Sequence, residues 1–246
     1  MTIERINYSS GSPLEEKHGY SRIVRIGPFI FAGGTTSVQA DGSVYGEGDS
    51  AAQASYIYEK LVCLIEKAGG CAEDVISVKR YQTPAFDSKA ARNAYSDIFR
   101  NIRPLNTAVT IKSLNRPAQL CEIEMTAVIG SSKGAEWNGM KLDRVNYSSG
   151  SPLEDVMGYS RMVRVGPFIF IGGTTSVLPD GSVAGEGSAD AQDDFILDKQ
   201  IKLLEKAGAS ASDIIMMKQY VTPGYHLCRR AGSAVWAENF GAIKPV

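Results

Sequence analysis

The pattern of apolar and polar residues near the start of the chain predicts a β-hairpin. Residues Tyr20–Ile26 and Phe29–Thr35 are two strand-like runs, and they flank the turn-forming pair Gly27-Pro28. A glycine-rich stretch over residues 38–48 follows and has the composition of a loop.

The period then changes from that of a strand to that of a helix. From Ser50 onward apolar residues recur at helical spacing, with Asp49 or Ser50 as the N-cap and Gly69 as the stop signal. A second helix is predicted from a cap at Asp87-Ser88 through about Asn101.

Three further strands complete the pattern, over Val75–Thr83, Thr107–Ile111 and Glu122–Val128. The order of strands, helix, strand, helix and strands predicts an α+β fold: an antiparallel or mixed sheet covered on one face by two helices. The other face needs a cover too, and a second module is the obvious candidate.

The chain contains that second module, because its sequence repeats. Residues Arg5–Pro84 align without a gap to Arg144–Pro223, a shift of 139, and 50 of the 80 aligned positions are identical. The repeat predicts a first module over residues 1–130, a linker over 131–143 and a second module over 144–246.

The second copy has no counterpart for the last two strands of the first. Its Lys244-Pro245 aligns with Arg103-Pro104, so the strands that carry Asn106 and Glu122 have no equivalents before Val246. We expect either a polypeptide that continues for about 25 residues, if both copies close alike, or a neighbouring chain that lends strands.

Composition narrows the class of protein. A formal net charge of −1 gives no electrostatic basis for binding nucleic acid or an anionic membrane, and no apolar run approaches the length of a membrane span. The first residues lack the apolar core of a signal peptide, and the four cysteines lack CxxC spacing. These features predict a reduced, cytoplasmic protein.

Few residues have the types and spacing of a reactive site. His18 and His226 have no counterparts in the other copy, which disfavours metal sites and histidine-dependent triads. Gly33-Gly34 at a strand end allows either a tight bend or the close approach of a ligand. Glu122 and Glu124 alternate with Ile123, so both carboxylates are expected on one sheet face.

Five segments together resemble the Rid family of reactive intermediate deaminases, also called YjgF or L-PSP proteins. They are Gly19-Tyr20-Ser21, Phe29–Gly34, Glu66–Gly69, Asp74–Ile76 and Cys121–Val128. The resemblance implies a chorismate-mutase-like fold in which three modules form a ring, with ligand clefts between modules. It further implies hydrolysis of enamines and imines, such as 2-aminoacrylate, without a cofactor.

The resemblance also assigns roles to individual positions. Glu122 matches the family's water-activating glutamate, Tyr20 its site tyrosine and Gly34 its strand-end glycine, with Gly33 beside it. Asn106 stands where the family has an arginine that binds the substrate carboxylate. A neutral amide cannot replace the charged, bidentate clamp, which predicts a substrate other than 2-aminoacrylate.

Two other arginines are candidates to bind the substrate in place of the arginine that Asn106 replaces. Arg22 shares a strand face with Tyr20 and recurs as Arg161, and Arg92 lies one helical turn before Tyr95. The alternative is that both are surface charges.

Three functions therefore stay open at this point. The first is a hydrolase for an imine, enamine or related C–N substrate, with Glu122 activating water. The second is a non-catalytic protein that binds a small metabolite on the same trimeric scaffold. The third, RNA cleavage, is disfavoured by the neutral charge.

Overall fold

The computed structural model describes residues 3–228 and 233–246. It divides into a larger unit, residues up to Asn146 together with Leu153–Gly172, and a smaller unit, Tyr147–Pro152 together with Gly173–Val246. The strands are β1 (Arg5–Tyr8), β2 (Ile23–Ile26), β3 (Phe29–Thr35), β4 (Val75–Gln82), β5 (Leu105–Thr110), β6 (Cys121–Val128), β7 (Glu136–Trp137), β8 (Met140–Lys141), β9 (Arg144–Tyr147), β10 (Met162–Val165) and β11 (Phe168–Ile171). The helices are α1 (Pro13–His18), α2 (Ser50–Lys67), α3 (Arg92–Phe99), α4 (Pro152–Met157), α5 (Ala189–Lys206), α6 (Tyr225–Cys228) and α7 (Ala234–Phe240).

The first copy forms a six-stranded mixed sheet in the order β1-β2-β3-β6-β4-β5. Strands β4 and β5 run parallel and every other neighbouring pair runs antiparallel. Helices α2 and α3 pack on one face through a continuous apolar core. The predicted α+β fold, with two helices on one face of a mixed sheet, is confirmed.

Helix α2 begins and ends where the sequence predicts. The Asp49 carboxylate caps its first turn by accepting from Ala51 N at 2.9 Å and Ala52 N at 3.0 Å. Gly69 follows the helix at a φ of 91°, a conformation that favours glycine. The buried face carries four large apolar side chains, each worth about 1.5–3 kcal/mol on burial: Ile57, Tyr58, Leu61 and Ile65.

The second helix is shorter than predicted. Asp87 caps a preceding turn instead, accepting from Lys89 N at 2.8 Å and Ala90 N at 3.1 Å, and α3 itself begins at Arg92. Strand β2 likewise begins at Ile23, three residues later than expected, because the residues before it form the loop that follows α1.

The second face of the sheet is covered at one end by strands of the second copy. Within the larger unit Ile76, Leu105 and Val128 pack with Val163 and Val165 in one buried apolar cluster. Strands β9 to β11 form their own sheet in the order β11-β10-β9, in which β10 and β11 run antiparallel. Between the copies, residues 131–143 form a short 3₁₀ turn and the β7–β8 hairpin.

The smaller unit is mainly helical. Leu197 of α5 packs with Phe240 of α7 and with Ala211 in an apolar cluster. Residues 214–221, the counterpart of β4, form no strand there. In the first copy β4 lies between β5 and β6. Among the described residues no helix is long and apolar enough to cross a membrane.

Candidate active site

Glu122 lies on the sheet face opposite the helices. Along β6 the buried residues Cys121, Ile123 and Met125 point into the core, and the half-buried carboxylates Glu122 and Glu124 alternate with them. On the neighbouring strand β4, Tyr81 lies opposite Glu122 and Lys79 lies opposite Glu124. The two carboxylates share one face, as the alternation predicts.

The surroundings of Glu122 favour its protonated form. Burial raises its pKa above the ordinary value of 4.5, and the nearby negative charge of Glu124 raises the pKa further. The positive charge of Arg22 acts in the opposite direction. A raised pKa makes the ionised carboxylate a stronger base, which is a property that a general base requires.

The glycine pair forms a β-bulge beside this carboxylate. Ala32 pairs with Met125 and Thr35 with Ile123, so two residues of β3 face one residue of β6. A Cβ on Gly34 would overlap the Glu122 carboxylate, whereas a Cβ on Gly33 would lie 3.7 Å from its nearest neighbour, an ordinary contact. The close approach that requires glycine is therefore at Gly34, and the approaching group is the Glu122 side chain.

Arg22 is held by three groups at the same bulge. Its Nε donates to Glu15 Oε1 at 3.3 Å, one Nη donates to the Gly34 carbonyl, and the other donates to the Tyr20 hydroxyl at 3.2 Å. The guanidinium carbon also lies 5.2 Å from the centre of the Tyr20 ring. Arg22 thus links the tyrosine, the bulge and a buried carboxylate.

Tyr20 borders solvent with its ring. It is 40% exposed, and its hydroxyl oxygen accepts from Arg22. Among the described residues no acceptor receives the hydroxyl proton of Tyr20, so this proton is available to a ligand.

The other two candidate residues lie elsewhere in the module. Arg92 is the exposed first residue of α3, on the helical side of the sheet. Asn106 lies on the edge strand β5 opposite Val78, which faces the helical core, and strand β4 separates it from β6. One module therefore brings Tyr20, Arg22 and Gly34 to Glu122, but it does not bring Arg92 or Asn106 there.

The strand that carries Asn106 meets the second copy's equivalent of the Tyr20 loop. Ser160, the counterpart of Ser21, forms a parallel bridge with Leu105, and its backbone N donates to the Pro104 carbonyl at 3.2 Å. A Cβ on Gly172, the counterpart of Gly33, would lie 3.5 Å from Leu105 Cβ. Within the larger unit β5 of one copy thus borders the hairpin of the other.

Sequence reasoning missed Glu15. This carboxylate is 4% exposed and accepts from Ser9 Oγ at 2.6 Å and Ser10 Oγ at 2.5 Å in addition to Arg22. The available signal was the Ser-Ser-Gly-Ser-Pro-Leu-Glu motif, which recurs unchanged at Ser148–Glu154. An acidic residue that is identical in both copies of a repeat is a candidate for a buried carboxylate with a cationic partner.

A sequence model of the family described as Endoribonuclease L-PSP matches residues 11–129 and again residues 150–246. The chain belongs to the L-PSP family, also called the YjgF or Rid family. The two matches fall on the two copies of the repeat, so each copy corresponds to one L-PSP module.

Individual L-PSP relatives match the length of one module. An uncharacterized protein of Streptomyces coelicolor, SCO2049, is 30% identical over 132 residues, which cover 53% of this chain and 98% of the relative. A RutC family protein of Pyrococcus abyssi is 28% identical over 109 residues, 44% of this chain and 84% of that protein. The solved structure of Rv2704 from Mycobacterium tuberculosis, of the YjgF/YER057c/UK114 family, is 32% identical with a TM-score of 0.45, covering 51% of this chain and all of that one.

Proposed function

We propose that this protein is a cofactor-independent hydrolase of an imine, enamine or related C–N compound, with Glu122 as the base that activates water. The observation that carries the proposal is the half-buried Glu122 carboxylate, which packs against Gly34, while Arg22 donates to both the Gly34 carbonyl and the Tyr20 hydroxyl. Its raised pKa suits a base that takes a proton from water near neutral pH.

The proposed reaction needs only water. In an enamine, a proton first moves from the nitrogen to the β-carbon, which gives the imine. The water oxygen then adds to the carbon of the C=N bond while Glu122 takes one of the water protons and passes it to the nitrogen, which gives a carbinolamine. The hydroxyl proton then moves to the nitrogen, the C–N bond breaks and the C=O bond forms, with release of ammonia or an amine. Tyr20 and the backbone of Gly33 and Gly34 orient the substrate during both steps.

We further propose that the first module of a neighbouring chain supplies the Asn106 amide to the Glu122 site, within a trimer or pseudo-threefold ring. The contact between β5 and the Ser160 hairpin supports this arrangement, because it has the edge strand of one copy bordering the tyrosine loop of the next. Two modules per chain cannot fill a three-membered ring, so three chains forming two rings is the simplest closed assembly.

Release of ammonia from a panel of imines and enamines tests the hydrolase proposal. We expect turnover by the wild-type chain and a loss of about 100-fold or more in Glu122→Gln, as for removal of a general base. Failure of every substrate in the panel, together with saturable binding of one of them, would favour the non-catalytic alternative. RNA binding that weakens with salt would favour the third function.

A substitution at Asn106 tests whether its missing charge sets the specificity. Asn106→Arg restores a bidentate donor for a carboxylate and should create 2-aminoacrylate hydrolysis. The double variant Asn106→Arg with Glu122→Ala should be inactive; equal activity of the two variants would remove Glu122 from the mechanism.

A further inference from the structure

Arg22 has at most two of its five N–H donors left for a substrate. A guanidinium has five N–H donors, and in this structure Glu15, the Gly34 carbonyl and the Tyr20 hydroxyl each take at least one. Its side chain is 13% exposed and one ring face of Tyr20 covers it. A residue that clamps a substrate carboxylate presents its fork to the cleft, whereas this fork is directed into the protein.

Glu15 is built to hold that guanidinium in one place. Four hydrogen bonds from Ser9 and Ser10 converge on its two oxygens at distances of 2.5 to 3.3 Å, and Arg22 adds a fifth contact. Burial by itself would raise the pKa of Glu15, but the hydrogen bonds from Ser10 and Ser9 and the charge of Arg22 hold the pKa below 4.5. The carboxylate therefore stays ionised at neutral pH and anchors the arginine.

The second copy contains the same arrangement. Arg161 Nε donates to Glu154 Oε1 at 3.1 Å, and its Nη2 donates to the Tyr159 hydroxyl at 2.9 Å. The guanidinium lies 5.2 Å from the Tyr159 ring centre, the same distance as in the first copy. Glu154 is fully buried and Arg161 is 9% exposed. The cluster is thus a property of the module, with one geometry in two sequence contexts.

We propose that Glu15 and Arg22 are a positioning pair for the Glu122 site: Glu15 fixes the guanidinium, and the guanidinium fixes the Tyr20 hydroxyl and the Gly34 carbonyl beside the Glu122 carboxylate. This inference rests on the proposed function and deepens it. The position of Arg22 in the sequence suggests a substrate-binding role. In this proposal Arg22 instead positions the residues that line the site.

The pair also acts on the charge of the base. The groups that face Glu122 are Glu124 on its own strand, Tyr81 opposite on β4, with Lys79 one pair further along, and Arg22 from the bulge side. Of these, Arg22 is the cation that favours the ionised form of Glu122. Replacing it by a neutral side chain should therefore raise the pKa of Glu122 and move the acid limb of the rate profile to higher pH.

The test measures the ionisation of Glu122 directly. Protein labelled with ¹³C at the glutamate carboxyl carbons is titrated by NMR, and the Glu122 resonance is assigned by its loss in Glu122→Gln. In Arg22→Met the Glu122 titration should move to higher pH, and kcat should fall about 10- to 100-fold with a smaller change in KM. Glu15→Gln should produce the same changes in weaker form.

Arg22→Lys separates charge from geometry. A lysine ammonium keeps the positive charge but cannot reach Glu15, Tyr20 and Gly34 in one fixed fork. We expect a Glu122 titration near that of the wild type with a loss of kcat, and this variant decides the question should Arg22→Met fail to fold. The matched control is Arg161→Met in the second copy, which should leave the Glu122 titration unchanged.

Two results would overturn the positioning role. One is an unchanged Glu122 titration and unchanged kcat in folded Arg22→Met or Arg22→Lys. The other is a rise in KM alone, which would return Arg22 to substrate binding. Because the NMR titration needs no turnover, absence of hydrolase activity would refute the proposed function and still leave the effect of Arg22 on Glu122 measurable.

Discussion

At the scale of single residues, the two adjacent glycines of the bulge differ in what surrounds them. Gly34 packs against Glu122, whereas the position of Gly33 has room for a larger side chain. Gly34 and Gly33 are adjacent, yet only at Gly34 would a Cβ overlap the Glu122 carboxylate. The two residues therefore offer a matched pair of alanine substitutions in which the chemistry is constant and the contact differs.

Gly34→Ala should lower the free energy of unfolding by no more than about 1 kcal/mol, because the added methyl group displaces the terminal carboxylate of a half-buried, flexible side chain. Activity should fall about tenfold or more as the Glu122 carboxylate moves. Gly33→Ala should be neutral or stabilising by up to about 1 kcal/mol. Urea denaturation and kcat/KM measure both effects, and equal behaviour of the two variants would contradict the close contact.

Because the pKa of Glu122 is raised, its contribution to the free energy of unfolding should depend on pH. A carboxyl whose pKa is higher in the folded than in the unfolded state favours folding when protonated, and that contribution is lost as pH rises through the folded pKa. Glu122→Gln should therefore be more stable than the wild type at pH 8 and gain nothing at pH 4. Denaturation at both pH values measures this difference, with Glu47→Gln in the exposed loop as the control. A pH-independent difference would rule out the raised pKa.

At the scale of elements, hydrophobic periodicity predicts the long, buried helices and strands but misses the short, exposed ones. The sequence predicts helix α2 from its apolar spacing, which its buried face generates, and from the Asp49 cap before its first turn. Strand β1 is at most half-buried, and the six-residue α1 buries only Glu15, so neither has an apolar pattern to recognise.

The candidate site was predictable by residue but not by geometry. The alternation on β6 placed Glu122 on the correct face, since a period of two depends only on local sequence. Its contact with Gly34 depends on the register of two strands 88 positions apart and on a bulge within it, which local pattern does not encode. Glu15 and Arg22 meet through α1, which has Ser12-Pro13 at its start and Gly19 at its end but no apolar periodicity.

The two long helices of the repeat are expected to differ in local stability. Each helix has 18 residues, all in the described part of the chain. Eight residues of α2 are buried, and four residues of α5 are buried. Ala54 and Leu61 of α2 are replaced by Asp193 and Gln200 in α5. Amide hydrogen exchange should be about tenfold or more faster in α5. Mass spectrometry of peptides from the two helices provides the comparison, and equal protection would show that burial does not set their opening.

At the scale of the whole molecule, the repeat supplies the same pair of polar residues twice, and in the second copy this pair binds backbone carbonyls of the first copy. In the second copy Arg144 donates to the carbonyls of Glu73 and Val75 at 2.9 Å and of Ile102 at 3.0 Å. Asn146 adds a bond to the Ile102 carbonyl at 3.1 Å.

Their counterparts Arg5 and Asn7 are exposed and hydrogen-bond each other at 3.2 Å. We expect this exposed pair to bind the same backbone positions of a module in another chain, since it has the same chemistry and the same local strand.

The double variant Arg5→Ala with Asn7→Ala should therefore convert the assembly to single chains while changing the unfolding free energy by no more than about 0.5 kcal/mol. Arg144→Ala should instead destabilise the fold by about 1.5–3 kcal/mol in total, since the side chain is only half-buried. Light scattering coupled to size-exclusion chromatography measures the mass, and denaturation measures the stability. A wild-type chain that stays single at micromolar concentration, or a double variant of unchanged mass, would show that Arg5 and Asn7 join no second chain.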